Sequence, residues 1–213
     1  MARIAVLGGT GYTGGAIVRE AASRGHHVTV YSRNAAETPV EGVHYLRASL
    51  LEEGAVAAAV AGQDVVVEAM APRGELAGRL EGIVADLARL APEHGARLVV
   101  IGGWSGLRPA EGEPRFVEGD VPPQFRPEAE EMVRALEGLE QAPAGLDWLF
   151  VSPAQTYGAY APGERTGTYR VGGAVALPGA DGGPSTLSGA DLALAVVDEI
   201  ERHERTGHIN VAG

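Results

Sequence analysis

The chain has 213 residues, no cysteine, and 28 acidic against 17 basic side chains, for a formal net charge of −11 at neutral pH. That charge argues against nucleic acid or an anionic membrane as a partner, and the missing thiols exclude disulfides, cysteine nucleophiles and thiolate metal sites while fitting a reducing compartment. All 17 basic residues are arginine, so Schiff-base chemistry, Walker-type nucleotide sites and a lysine-assisted catalytic tyrosine are excluded as well.

Ile4-Ala5-Val6-Leu7 reads as a strand, and Ala16-Ile17-Val18 with Ala21 and Ala22 has helical spacing. Between them, Gly8-Gly9-Thr10-Gly11-Tyr12-Thr13-Gly14 fits both G-x-x-G-x-x-G and G-x-G-x-x-G in the strand-to-helix context those motifs require. Such a turn leaves backbone N–H groups at a helix N-terminus aimed at one spot, which suits a pyrophosphate. Gly8, Thr10, Gly11, Tyr12, Thr13 and Gly14 are therefore candidate cofactor-binding residues.

His27 to Tyr31 reads as the second strand. An NAD site places an Asp or Glu after it to hold the ribose hydroxyls, whereas this chain has Ser32-Arg33-Asn34. An arginine grips a 2′-phosphate that a carboxylate would repel. NADP(H) is expected over NAD(H), the alternative being that Arg33 is a solvated turn residue.

Further strands are predicted at Val43–Leu46, Asp64–Glu68, Arg97–Ile101, Asp147–Val151, Thr168–Val171 and His208–Val211. Helices are predicted near Glu52–Val60, Glu75–Leu90, Glu128–Leu139 and Ala190–Arg202. The stretch from Arg108 to Pro127 holds five prolines and reads as a long surface loop. Strand–helix alternation implies an α/β, Rossmann-type doubly wound parallel sheet with helices on both faces, a single domain over residues 1–213, and a small C-terminal extension on the substrate side. Loop 106–127 and region 153–188 are expected to form that side. No apolar run reaches the about 18 residues of a membrane span, and the chain enters its first strand at once, so a cytoplasmic monomer or homodimer is expected.

Ligands in such sheets sit beyond the strand carboxyl ends. That rule makes Ala69, Met70, Ala71, Gly102, Gly103 and Pro153 candidate cofactor contacts. Trp104, Met70 and Tyr157 are candidates for an apolar wall beside the nicotinamide. The bland alternatives are a lid packed on the long loop for Trp104 and an ordinary loop aromatic for Tyr157. Ser105 is a weak candidate donor to a substrate carbonyl, or a turn residue.

The glycine turn, Ser32-Arg33-Asn34, Arg97-Leu98-Val99-Val100-Ile101-Gly102-Gly103, Leu146-Asp147-Trp148 and Gly163-Glu164-Arg165-Thr166-Gly167-Thr168-Tyr169-Arg170 together resemble the NADH-flavin reductases. These are atypical short-chain dehydrogenase/reductases with an NAD(P)H-binding, NmrA-like fold, related to the biliverdin-IXβ/flavin reductases. The resemblance implies hydride transfer from NADPH to a planar conjugated acceptor, or, as in NmrA-like relatives, a non-catalytic NADPH sensor. It also places Ser49 where the family often has an Asp for the adenine amino group, and Trp104-Ser105-Gly106 where a small residue, Gly and Ser are usual. The Tyr-x-x-x-Lys relay of typical members is impossible without lysine, which argues against alcohol oxidation and sugar epimerisation. An acceptor that takes its proton from water needs no such relay.

Overall fold

A computed structural model describes all 213 residues. Eight strands form one sheet in the order β3-β2-β1-β4-β5-β6-β8-β7. They are β1 (Arg3–Leu7), β2 (His27–Ser32), β3 (His44–Arg47), β4 (Val65–Glu68), β5 (Arg97–Ile101), β6 (Trp148–Ser152), β7 (Arg170–Gly172) and β8 (Gly207–Ala212). Every pairing is parallel except β7 with β8, so the expected parallel sheet carries one antiparallel edge strand. The five helices are α1 (Tyr12–Ser23), α2 (Ala55–Val60), α3 (Leu80–His94), α4 (Arg126–Glu140) and α5 (Gly189–Arg202).

Alternation along the central strands supplies two cores, one on each face of the sheet. Ile4, Val6, Val65, Val67, Val99 and Ile101 pack with residues of α1 and α5. Ala5, Leu7, Val66, Leu98 and Val100 pack with residues of α2, α3 and α4. Near-continuous valine runs are the sequence form of strands covered on both faces, and β4 is buried along its whole length.

The predicted helix from Glu75 to Leu90 divides in two. Gly78 takes a left-handed φ of +73°, separating a single 3-10 turn at Gly74–Leu76 from α3. The buried Glu131 carboxylate of α4 then accepts the N–H groups of Gly78 at 2.6 Å and Leu80 at 2.7 Å. A carboxylate at a helix N-terminus satisfies otherwise orphaned donors and complements the dipole. The new start is thus set by a neighbouring helix. At its other end α3 runs past Pro92 to the left-handed Gly95.

The expected surface loop is partly internal. Leu107, Arg115 and Val117 are buried, a 3-10 turn forms at Phe116–Glu118, and Arg108 exchanges backbone hydrogen bonds with Ala174 and Ala176 at 2.9 Å each.

Candidate functional site

A cleft of about 1910 Å³ runs along the carboxyl ends of the strands. It begins at Ser32, Arg33, Asn34 and Leu50 beyond β2 and β3, crosses Gly8 to Thr13 and Ala69 to Ala71, and ends between Gly102–Gly106 and Pro153–Tyr160. One opening thus joins most of the candidates named from sequence, including Trp104, Ser105 and Tyr157. Two lie outside its lining. Gly14 packs under the turn, and Ser49 is flanked by the lining residues Ala48 and Leu50 while its hydroxyl accepts the Leu51 N–H at 3.4 Å. Ser49, expected near the adenine, thus stands at the edge of this opening between two of its lining residues.

Three glycines of the turn, Gly8, Gly11 and Gly14, have different reasons. Gly8 has φ +79°, and a Cβ there would meet Met70 Cγ at 2.8 Å. At Gly14 a Cβ would lie 2.3 Å from the Gly8 carbonyl oxygen, so this glycine lets α1 close onto β1. At Gly11 a Cβ would touch only that oxygen, at 3.4 Å, with an ordinary φ of −78°. Gly11 is also the N-cap of α1, with no side-chain cap and no acid in the first turn. The result is a cradle of free N–H groups with room for an anion, which fits a dinucleotide pyrophosphate.

The turn is held from the far side of the cleft. Tyr12 Oη accepts the Gly189 N–H at 2.8 Å and donates to the Pro162 carbonyl at 2.8 Å. Thr13 Oγ1 and Tyr157 Oη share a hydrogen bond of 2.8 Å, and the Tyr12 and Tyr157 rings meet edge to face. Burial drives the Tyr157 hydroxyl well above the usual phenol range, so it stays protonated. Thr10 Oγ1 and Ser32 Oγ likewise join the turn to the end of β2 at 2.7 Å.

Arg33 is half-exposed and its guanidinium is paired with Glu75 from the 3-10 turn after β4. Arg47 at the end of β3 donates from Nε to the Arg33 carbonyl at 3.1 Å and has no carboxylate partner. Arg33 thus lines this end of the cleft, while Arg47 lies outside the lining against the Arg33 backbone.

At the other end, Trp104 lies stacked on Phe116 of the proline-rich loop, with ring centroids 3.7 Å apart. Both rings, with Met70, Phe125, Met132 and Tyr160, line the cleft. Ser105 lines it with no hydrogen bond to the protein. Gly102 is small for another reason: a Cβ would overlap the Phe150 ring at 1.9 Å.

Three features escaped sequence reading. Ser152 donates to the Gly103 carbonyl at 2.9 Å and meets His208 Nε2 at 2.9 Å. Burial, aided by Arg115 and Arg108, holds His208 down to about 4, so a neutral ring donates from Nε2 and leaves Nδ1 buried without a partner. This pair pins the turn carrying Trp104 and Ser105. Glu68, at the end of β4, is fully buried; one oxygen accepts the Met70 N–H at 2.6 Å and the other has no partner. Burial pushes its carboxyl up to about 8, against the opposing pull of that N–H. Finally, the Gly163–Arg170 motif proves to be a clasp. Asp191 near the start of α5 accepts the N–H groups of Thr166 at 3.0 Å and Gly167 at 2.8 Å, Arg165 reaches Glu20 of α1 at 3.3 Å, and Tyr169 donates to Asp198. Of the region 153–188, Pro153 to Tyr160 reaches the cleft, the Gly163–Tyr169 clasp bears on α1 and α5, β7 pairs with β8, and Ala174 and Ala176 bond to Arg108 of the proline-rich loop. Only the cooperating partners, distant in sequence, reveal these roles.

The sheet order and the cradle between β1 and α1 define a nicotinamide-dinucleotide-binding protein of the Rossmann class. The chain belongs to the NAD(P)H-binding family, whose sequence model matches residues 8–203. It is 32% identical over 205 residues to the uncharacterized protein YwnB of Bacillus subtilis, spanning 95% of this chain and 93% of that one. A protein of Burkholderia pseudomallei, provisionally named an exported protein, superposes with TM-score 0.85 at 36% identity over the whole of both chains. One from Streptococcus pneumoniae, provisionally named an NADH-flavin reductase, gives TM-score 0.86 at 28% identity over 100% of this chain and 99% of its own. These matches accord with the atypical short-chain dehydrogenase/reductase resemblance. No helix is long and apolar enough to cross a membrane.

Proposed function

We propose that the protein is an NADPH-dependent reductase that delivers a hydride to a planar conjugated acceptor such as a flavin or quinone. The observation that carries this reading is the continuity of the cleft. Its 1910 Å³ is about twice the ~300–1,000 Å³ usual for one small ligand, and it joins the glycine cradle to an aromatic compartment in one space. That is room for a dinucleotide and a second flat molecule together.

When bound, the nicotinamide supplies a hydride from C4, and the acceptor completes its two-electron reduction with a proton from water. The chain's contribution is placement. The N-terminus of α1 holds the pyrophosphate, and Arg33, with Arg47 beside it, favours the 2′-phosphate of NADPH. Trp104 on Phe116 forms the wall against which the acceptor stacks, and the uncommitted Ser105 hydroxyl donates to an acceptor carbonyl. Tyr157 is no general base, since its hydroxyl is engaged by Thr13 and burial raises its pKa. A reducing, cytoplasmic setting accords with the cysteine-free chain.

The test is consumption of NADPH by the purified protein with FMN, riboflavin or a small quinone, alongside titrations of NADPH and NADH. Acceptor-dependent oxidation, with NADPH bound more tightly than NADH, is expected. Tight NADPH binding without turnover on any planar acceptor would replace this reading with the NmrA-like sensor.

A further inference from the structure

The charged groups along the cleft are not evenly spread. One end has Arg33 in its lining, paired with Glu75, and Arg47 outside the lining on the Arg33 carbonyl. At the aromatic end every arginine is already committed. Arg73 holds Glu128 through two hydrogen bonds, at 2.6 and 2.9 Å. Arg115, almost fully buried, holds Glu140 at 2.6 Å and is shared with Glu137 at 3.2 Å.

Two further carboxylates line the same end without a cation. Glu118 accepts only the Arg115 backbone N–H, at 2.8 Å, and Asp120 makes no ion pair. The nearby Arg126 lies on the backbone that carries them, bonded to the carbonyls of Val117 and Gly119 and to the carboxylate of Glu130, and makes no ion pair with Glu118 or Asp120. The chain has no lysine to redress the balance. An anion entering here would face two exposed carboxylates with no ion-pair partner, and to reach Arg73 or Arg115 it would have to displace a carboxylate that then remains beside it.

We infer that the acceptor compartment selects uncharged planar acceptors and rejects phosphorylated ones, so that riboflavin or a neutral quinone is preferred to FMN. Carboxylate-bearing tetrapyrroles are disfavoured by the same balance. This inference rests on the acceptor-reductase reading but concerns which acceptor the walls admit. The cofactor escapes the rejection because its phosphates lie at the other end, on backbone N–H groups and beside Arg33.

Riboflavin and FMN share one ring system and differ by a phosphate, which makes them the matched probes. Their binding to the protein saturated with NADP⁺ is measured by quenching of flavin fluorescence, at low and high salt. Riboflavin is expected to bind roughly tenfold or more tightly than FMN, a gap worth one charge contact. Salt should narrow that gap, because it screens exposed charges, and so should Asp120→Arg. FMN binding as well as riboflavin, or a gap indifferent to salt and to Asp120→Arg, overturns the inference, as does failure of riboflavin to bind. Turnover with FMN in preference to riboflavin would overturn it while leaving the reductase reading intact. Absence of turnover with every acceptor would remove the reductase reading, and the binding ratio would still decide this one.

Discussion

The indole of Trp104 lies on the ring of Phe116, their centroids 3.7 Å apart and their planes 22° from parallel. The strand end and the proline-rich loop are thereby joined at the cleft, so Trp104 is both packed against the loop and part of the wall. A stacked aromatic pair is worth about 0.5–1.5 kcal/mol beyond its buried area. Trp104→Ala should raise the acceptor KM by up to roughly tenfold while leaving NADPH affinity near wild type, and Phe116→Ala should do the same by unseating the indole. Steady-state kinetics with riboflavin and a small quinone check this; loss of NADPH binding in either variant would show that the ring belongs to the cofactor end.

Gly11 and Gly14 occupy one motif and predict opposite outcomes. At Gly11 the protein tolerates a side chain, which would project into the cradle. Gly11→Val should therefore abolish NADPH binding by calorimetry, at a stability cost of about 1 kcal/mol for the poorer N-cap. Gly14→Ala drives a methyl to 2.3 Å from the Gly8 carbonyl oxygen and should lower stability by about 1–3 kcal/mol or more. Normal NADPH binding by the Gly11 variant would reduce the turn to a purely structural role.

Arg33 reaches a 2′-phosphate only by releasing Glu75. Arg33→Ala should weaken NADPH relative to NADH by about 1.5–3 kcal/mol, the value of a charged hydrogen bond. Glu75→Gln removes the competing carboxylate and should strengthen NADPH binding with NADH unchanged. Titrating both cofactors against all three proteins decides the matter, and equal losses for the two cofactors in the Arg33 variant would sink the assignment.

Ser105 lines the cleft with a hydroxyl that is hydrogen-bonded to no base. Its role as a donor limits the effect of Ser105→Ala to one neutral hydrogen bond, roughly 0.5–1.5 kcal/mol in kcat/KM. A collapse of kcat by several orders of magnitude would instead establish general acid catalysis.

Glu68 makes stability depend on pH with a definite sign. Its carboxyl is raised in the folded chain to about 8 from an ordinary 4.5. Between those values the unfolded chain has lost the proton that the folded chain keeps, so stability falls as pH rises, by at most about 1.4 kcal/mol per pH unit. Glu68→Gln keeps an acceptor for the Met70 N–H and cannot titrate. The variant should therefore gain stability over wild type as pH rises from 5 to 8, measured by urea denaturation; a constant difference across that range would mean that Glu68 is not held neutral.

The glycine turn, the valine-rich strands, the apolar helix faces and the absence of lysine were all legible in the sequence. Each depends on neighbours a few residues away, or on composition, so local periodicity and steric rules suffice to read it. They determined the Rossmann-type class, the cofactor cradle and the chemistry that is ruled out. The tertiary structure decided everything that depends on distant partners. Glu131 resets the start of α3, Asp191 turns the Gly163–Arg170 motif into a clasp, and Ser152 with His208 pins the turn below Trp104. Whether an arginine in the cleft is free for a ligand was likewise unreadable from the chain. An ion pair forms wherever folding brings opposite charges within reach, and Arg33 meets Glu75, and Arg73 meets Glu128, only after the sheet has set their elements side by side.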